Sequence, residues 1–266
     1  MKLAIYQFAP LFGQIDKNIE TVRQAVSGKD FDILILPELA FTGYQFVSSD
    51  EVAELSEEVP GGPTCRAVEE IAAEKSCYVV FGLPEKSGGD VFNSAALIGP
   101  NGFIGKYRKA HLFYEEKLWF KPGDTGFHVF DIGLARIGII ICFDWIYPEA
   151  SRILMLKGAQ VIVQPANLVL PWCQKIALAR AWENRVFFVT ANRTGQEERG
   201  GREPLDFTGQ SQAVAPSGEL LFRMAENEQA LHIIDVDPSL ADNKQVTLHN
   251  DIMKDRRTDL YGPLLR

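Results

Sequence analysis

The 266-residue sequence has few of the features that announce a disulfide scaffold, a metal centre or a nucleic-acid binder. Its four cysteines, Cys65, Cys77, Cys142 and Cys173, lie far apart with no Cys-x-x-Cys pair, so their spacing signals neither a zinc site nor a set of disulfides. In a reducing compartment they are expected as free thiols. No stretch reaches the ~18 uninterrupted apolar residues of a membrane span. The opening run from Met1 to Tyr6 is broken by Gln7 and Pro10 before it can form an export signal, and it reads as a first strand. A cytoplasmic protein is the expectation. Basic residues are the minority, 27 Lys and Arg against 35 Asp and Glu, for a formal charge of −8. That balance argues against nucleic acid or an anionic membrane as partner, since both need a basic surface, and leaves a small molecule.

What is present is apolar patterning. At 46% hydrophobic residues the chain can bury a large core, and with no low-complexity linker we expect a single domain over residues 1–266. Short β-branched runs alternate with helical patterns: Leu3 to Phe8, a helix over about 18–27, then Asp32 to Leu36; a helix opened by Pro63 and an apolar strand from Cys77. Two hairpins follow, one turning at Gly99-Pro100-Asn101-Gly102, the other at Pro216-Ser217-Gly218. Between them lie a strand ending Ile137 to Ile141, helices over 148–157 and about 174–184, and strands 160–164 and 186–190. Such βα units joined by hairpins predict an α/β fold, with either one mixed sheet or two mixed sheets packed face to face. The Gly-rich, charged segment 195–206 reads as a mobile loop, and the tail from about residue 243 is too polar for core.

Three reactive side chains stand just beyond predicted strand ends: Glu38 in Leu-Pro-Glu-Leu, Lys109 in Lys-Tyr-Arg-Lys, and Cys142 after the Ile137 to Ile141 run. In α/β sheets the ligand crevice lies outside the carboxyl ends of the strands. Cys142 also precedes a helix signalled by Asp144 and Pro148-Glu149, whose positive end and a nearby lysine would lower the thiol pKa. Taken singly, each residue has a plainer reading as a packed thiol, a solvated cation or a cap.

Taken together, Leu-Pro-Glu-Leu, Tyr-Arg-Lys-x-His-Leu-Phe and Gly-x-x-Ile-Cys-Phe-Asp-x-x-Tyr-Pro-Glu occur in an order that resembles the nitrilase superfamily of carbon–nitrogen hydrolases, whose members share a Glu-Lys-Cys triad. Further similarity at Gly61-Gly62-Pro63-Thr64, Arg180-Ala181-x-Glu183-Asn184-Arg185 and Asn192-Arg193-x-Gly195 extends it over nearly the whole chain. The resemblance implies the second arrangement, a four-layer α-β-β-α sandwich with helices outside. It also implies Cys142 as nucleophile, Lys109 and Glu38 as its triad partners, and a second glutamate at Glu116, with Glu115 as the alternative. Glu38 would take the thiol proton. Lys109 and the backbone N–H of Phe143 would stabilise the tetrahedral oxyanion, and Glu38 would protonate the leaving amine. No metal or organic cofactor is required.

The step Cys142-Phe143-Asp144 is similar to amidase-like and carbamoylase-like branches, whereas true nitrilases carry Cys-Trp-Glu. Segment 165–172 is expected to line the crevice mouth, with Asn167 for hydrogen bonding and Trp172 as an apolar wall, while Tyr44 and Tyr114 narrow the pocket. Aliphatic amides, ω-amides of dicarboxylic acids and N-carbamoyl compounds all remain open. The competing readings are a nitrile substrate, a binding protein without turnover, a Cys142–His111 hydrolase, and acyl transfer to an amine. The resemblance also implies a homodimer or larger assembly, with the tail at a subunit interface and Leu260, Tyr261, Leu264 and Leu265 docking.

Overall fold

The computed structural model describes residues 1–265, the side chain of Leu265 excepted, so that residue's docking role lies outside the described residues. Among them the strands form two six-stranded sheets. The first contains β1 (Lys2–Gln7), β2 (Ile33–Ile35), β3 (Tyr78–Ser87), β4 (Asp90–Gly99), β5 (Gly102–Arg108) and β14 (Ala230–Asp235). The second contains β6 (Val129–Asp131), β7 (Arg136–Ile139), β8 (Val161–Ala166), β9 (Phe187–Asn192), β12 (Gln212–Val214) and β13 (Leu220–Arg223). Their orders are β14-β1-β2-β3-β4-β5 and β13-β12-β9-β8-β7-β6. Each has a parallel centre, β1-β2-β3 and β7-β8-β9, and antiparallel flanks, so both sheets are mixed as expected.

The central strands are apolar on both faces because both faces are covered. Leu3, Ile5, Ile33, Ile35 and Val80 of the first sheet meet Ile137, Ile139, Val161, Val163 and Val189 of the second in one buried layer. One residue along, the side chains reverse face. Ala4, Leu34 and Val79 therefore pack under α1 (Ile15–Val26) and α3 (Pro63–Lys75), alongside Val22, Val68 and Ile71. On the far side Ile140, Ile162 and Phe188 pack with Ala150 and Leu154 of α5 (Pro148–Leu156) and Ala177 and Ala181 of α6 (Cys173–Asn184). The result is the four-layer sandwich. Two short helices, α2 (Ser49–Leu55) and α4 (Glu116–Trp119), lie in the connections.

Two segments depart from the sequence reading. The stretch read as a mobile loop carries a short ladder, β10 (Gln196–Glu197) with β11 (Leu205–Asp206), and is tied down by the ion pairs Arg199–Glu51 and Arg202–Glu115. The polar tail forms a second ladder, β15 (Gln245–Thr247) with β16 (Asn250–Asp251), and lays Ile252 and Met253 against the α5–α6 layer. Lys244 Nζ anchors it by donating to the C=O groups of Asn184 and Arg185 (3.0 and 2.8 Å), which caps α6. Beyond, Tyr261 and Leu264 line an open groove with Arg152 and Trp182.

Candidate active site

Glu38, Lys109 and Cys142 each follow the carboxyl end of a strand, β2, β5 and β7, and the two sheets bring these ends together. After β2 the chain stays pinned to β3, Leu36 N–H donating to Val80 C=O (2.8 Å) and Ala40 N–H to Gly82 C=O (3.0 Å). Gly82 is what permits this approach: a Cβ there would lie 2.5 Å from Glu38 Cα and from Leu39 N. Lys109 is held by its own N–H on Asn93 C=O (2.8 Å) and by Gly123 N–H on its C=O (2.8 Å).

The cluster is buried and ionic. Lys109 Nζ donates to Glu38 Oε1 and to Glu116 Oε1, both at 2.7 Å, with the three side chains at most 3% exposed. Asn93 Nδ2 donates to the same Glu38 oxygen (2.7 Å), while Glu38 Oε2 has no partner among the described residues. Glu116 is held from two further directions, by Tyr44 Oη on Oε1 (2.8 Å) and by Phe113 N–H on Oε2 (3.1 Å). Burial, only partly opposed by Lys109 and reinforced by Glu38, pushes the Glu116 carboxyl up to about 7. Burial lowers Lys109, but Glu116 and Glu38 outweigh it and hold the ammonium above the usual lysine range. Of the two glutamates left open by sequence, Glu116 lies in this cluster, whereas Glu115 pairs with Arg202.

Cys142 sits at φ 41°, in the left-handed region that costs a side-chain-bearing residue roughly 1 kcal/mol or more. It opens a 3-10 turn, Cys142–Ile146, whose first bond runs from Asp144 N–H to Ile141 C=O (3.1 Å). The Phe143 N–H ahead of that bond therefore has no intrahelical acceptor. Asp144 reaches back to Ile141 N–H (2.9 Å) and also accepts from Tyr107 Oη (2.8 Å). The lowered thiol pKa expected from sequence is corrected here. Burial and Glu38 push the Cys142 thiol well above its usual value, against Lys109 and a hydrogen bond from the Asn167 backbone. The turn is short, and the lysine charge is already shared by two carboxylates.

The crevice over Cys142 is narrow, with a cavity volume of about 10 Å³, and is lined by Phe113, Phe143, Trp145, Asn167, Leu168, Val169 and Leu170, none of them charged. Asn167 is fixed by Nδ2 donating to Glu38 C=O (2.9 Å), and its buried Oδ1 has no partner among the described residues. Tyr44 lines an adjoining hollow with Phe113, Tyr114 and Glu116. Tyr114 is 71% exposed and so only rims it. Trp172 is not a wall: it is 56% exposed outside the crevice, with the Lys175 ammonium over its ring, because it precedes α6 and turns outward. The lining indole is Trp145. His111 donates through Nδ1 to Asp144 Oδ1 (2.7 Å) and stacks on Tyr147, which leaves it outside the Cys142 lining.

The carbon–nitrogen hydrolase family model matches residues 2–244. The chain belongs to this family. A nitrilase of Pyrococcus abyssi is 44% identical over 98% of this chain and 99% of its own length. An (R)-stereoselective amidase of a Pseudomonas species is 33% identical over 98% and 93%. Among solved structures, a nitrilase-superfamily amidase of Nesterenkonia superposes with a TM-score of 0.83 at 26% identity, covering 99% and 97% of the two chains. A Helicobacter pylori carbon–nitrogen hydrolase shares the fold with a TM-score of 0.88.

Within this family member, sequence reasoning missed Asn93, Gln164 and Glu197, the partner of Arg193. Glu197 accepts from the backbone N–H groups of Tyr44 and Gln45 (3.0 and 2.6 Å), so that pair holds the turn that presents Tyr44 to Glu116. A usable signal existed. Gln164 interrupts an otherwise apolar strand, Asn93 lies in the buried stretch of another, and a polar group buried in a sheet must bond to something.

Proposed function

We propose that this carbon–nitrogen hydrolase cleaves a small, uncharged amide-type bond through a thioester on Cys142. The observation that carries the reading is the buried Glu38–Lys109–Glu116 cluster beside Cys142 at the base of an uncharged crevice. Because the thiol is held up, it is protonated at neutral pH and needs a base as it attacks. Glu38 is that base: its free Oε2 takes the thiol proton while sulfur bonds to the carbonyl carbon. The oxyanion is met by Lys109 Nζ and the Phe143 N–H. Glu38 returns the proton to the nitrogen, the carbon–nitrogen bond breaks, and ammonia or an amine leaves. Water, deprotonated by Glu38, then attacks the thioester, and the carbon–sulfur bond breaks as the thiolate regains the proton. Glu116, held by Tyr44, keeps Lys109 in place, and Asn167 Oδ1 is a free acceptor for the substrate N–H.

The size and lining of the crevice support the substrate class. With a cavity volume of only about 10 Å³ among Phe113, Phe143 and Trp145, it favours a short acyl group over a bulky one. No cation lines it, so a dicarboxylic ω-amide would bury an unpaired carboxylate. Arg180, Arg185 and Arg193 bond elsewhere, to Glu183, to the backbone, and to Glu197. A mutant of the Nesterenkonia amidase carries the Michael adduct of acrylamide at its active-site cysteine, which supports a reactive thiol in the same fold. The test is ammonia release from short amides, N-carbamoyl amines and nitriles, with intact-mass detection of the acyl adduct and Cys142→Ala as control. Turnover of nitriles alone, or activity retained by Cys142→Ala, would overturn the reading.

A further inference from the structure

A single amide side chain holds the carbonyl side of the Cys142–Phe143 peptide. Gln164, wholly buried in β8, donates from Nε2 to Cys142 C=O at 2.8 Å. Its orientation is not free. Thr190 Oγ1 donates to Gln164 Oε1 at 2.9 Å, from the position directly paired with it in β9. That bond fixes Oε1 towards Thr190 and leaves Nε2 towards Cys142. The Cys173 thiol lies against the same amide, 3.4 Å from Nε2 and 3.5 Å from Oε1, and fills the remaining space.

The peptide bond is planar and trans, so the C=O of Cys142 and the N–H of Phe143 point in opposite directions from one rigid unit. Anchoring the oxygen aims the hydrogen. The anchor is needed here because Cys142 is in the left-handed region, where a side-chain-bearing residue is not held by local preference. We infer that Gln164 is a positioning residue for the oxyanion donor: through its bond to the Cys142 carbonyl, it aims the Phe143 N–H into the crevice. This rests on the reading above that the Phe143 N–H meets the oxyanion. Thr190 sets the direction of Gln164, and Cys173 takes no chemical part.

Gln164→Met keeps the length of the side chain and removes the donor, and Gln164→Glu puts a carboxylate oxygen against the Cys142 carbonyl. Two rates separate aiming from general damage. Amide hydrolysis needs an oxyanion donor, whereas alkylation of Cys142 by iodoacetamide displaces iodide and forms no oxyanion. With Cys142→Ala as the background, Gln164→Met is expected to lower kcat roughly 100-fold with KM little changed, the size of effect seen when one oxyanion donor is lost. Alkylation is expected to stay within about threefold of wild type by the same argument. Gln164→Glu should lose at least as much turnover. An unchanged kcat in Gln164→Met, or turnover and alkylation falling together, would overturn the inference. Failure of the wild type to hydrolyse any amide would sink the functional reading instead. The inference is then decided by a crystal structure of Gln164→Met, which supports it if the 142–143 peptide has rotated and refutes it if the carbonyl still points to residue 164.

Discussion

Replacing Lys109 by methionine removes the one cation shared by two buried carboxylates. Glu38 and Glu116 each lose a 2.7 Å partner where water cannot substitute, their side chains being 0% and 3% exposed. Removing one member of a buried ion pair costs roughly 3–5 kcal/mol, which for a chain of this size lowers Tm by about 10 °C. The loss depends on pH, and its sign follows from Glu116. Its carboxyl titrates at about 7 in the folded protein, above the usual 4.5. The stability tied to this shift is fully present below the unfolded value and is lost as pH rises through about 7, an effect on the order of 3 kcal/mol. Without Lys109 the folded value rises further, so the variant is penalised most at pH 8 and least near pH 5. Thermal melts at the two pH values should show a Tm deficit at pH 8 at least twice that at pH 5. Lys109→Met/Glu116→Gln should recover part of the Tm at pH 8 without recovering turnover, which falls at least about 100-fold with the loss of the oxyanion cation. An equal deficit at both pH values, or none, would refute the account of the cluster as a charge balanced by burial.

Three further outcomes follow from particular contacts. Gly82→Ala places a Cβ 2.5 Å from Glu38 Cα, so β3 and the 37–39 segment must part; chemical denaturation should show a loss of about 1–3 kcal/mol, and kcat a fall of about 100-fold as Glu38 is displaced. Trp145→Ala should raise KM for short amides several-fold because that indole lines the crevice, while Trp172→Ala should change it less than twofold; the reverse ranking would place the acyl group elsewhere. Tyr44→Phe removes a hydrogen bond that lowers the Glu116 pKa, so the limb of the kcat/KM profile that follows Glu116 should move above about pH 7; an unmoved limb would show that Glu116 does not govern it.

The sandwich and the triad candidates were legible because they are written in local patterns. Alternating β-branched strands, hairpin turns and ordered motifs need no knowledge of distant contacts, and they pointed to two sheets and to Glu38, Lys109 and Cys142 at strand ends. Glu116 over Glu115 was decided by which carboxylate the short α4 turn directs inward, since its neighbour pairs with Arg202. Trp172 was misjudged for a related reason: it shares a segment with Asn167, but the start of α6 turns the indole outward.

By itself the sequence determined which residue types could do the chemistry and which strands would carry them, because side-chain identity and hydrophobic period are local properties. The protonation of those residues was decided only by tertiary structure. The sequence reading made Cys142 an activated thiol, yet packing two sheets around one lysine and two carboxylates raises the thiol and moves Glu116 to about 7. Desolvation and charge proximity depend on where the chain places every neighbour, including Asn93, Gln164 and Tyr44 from segments remote in sequence.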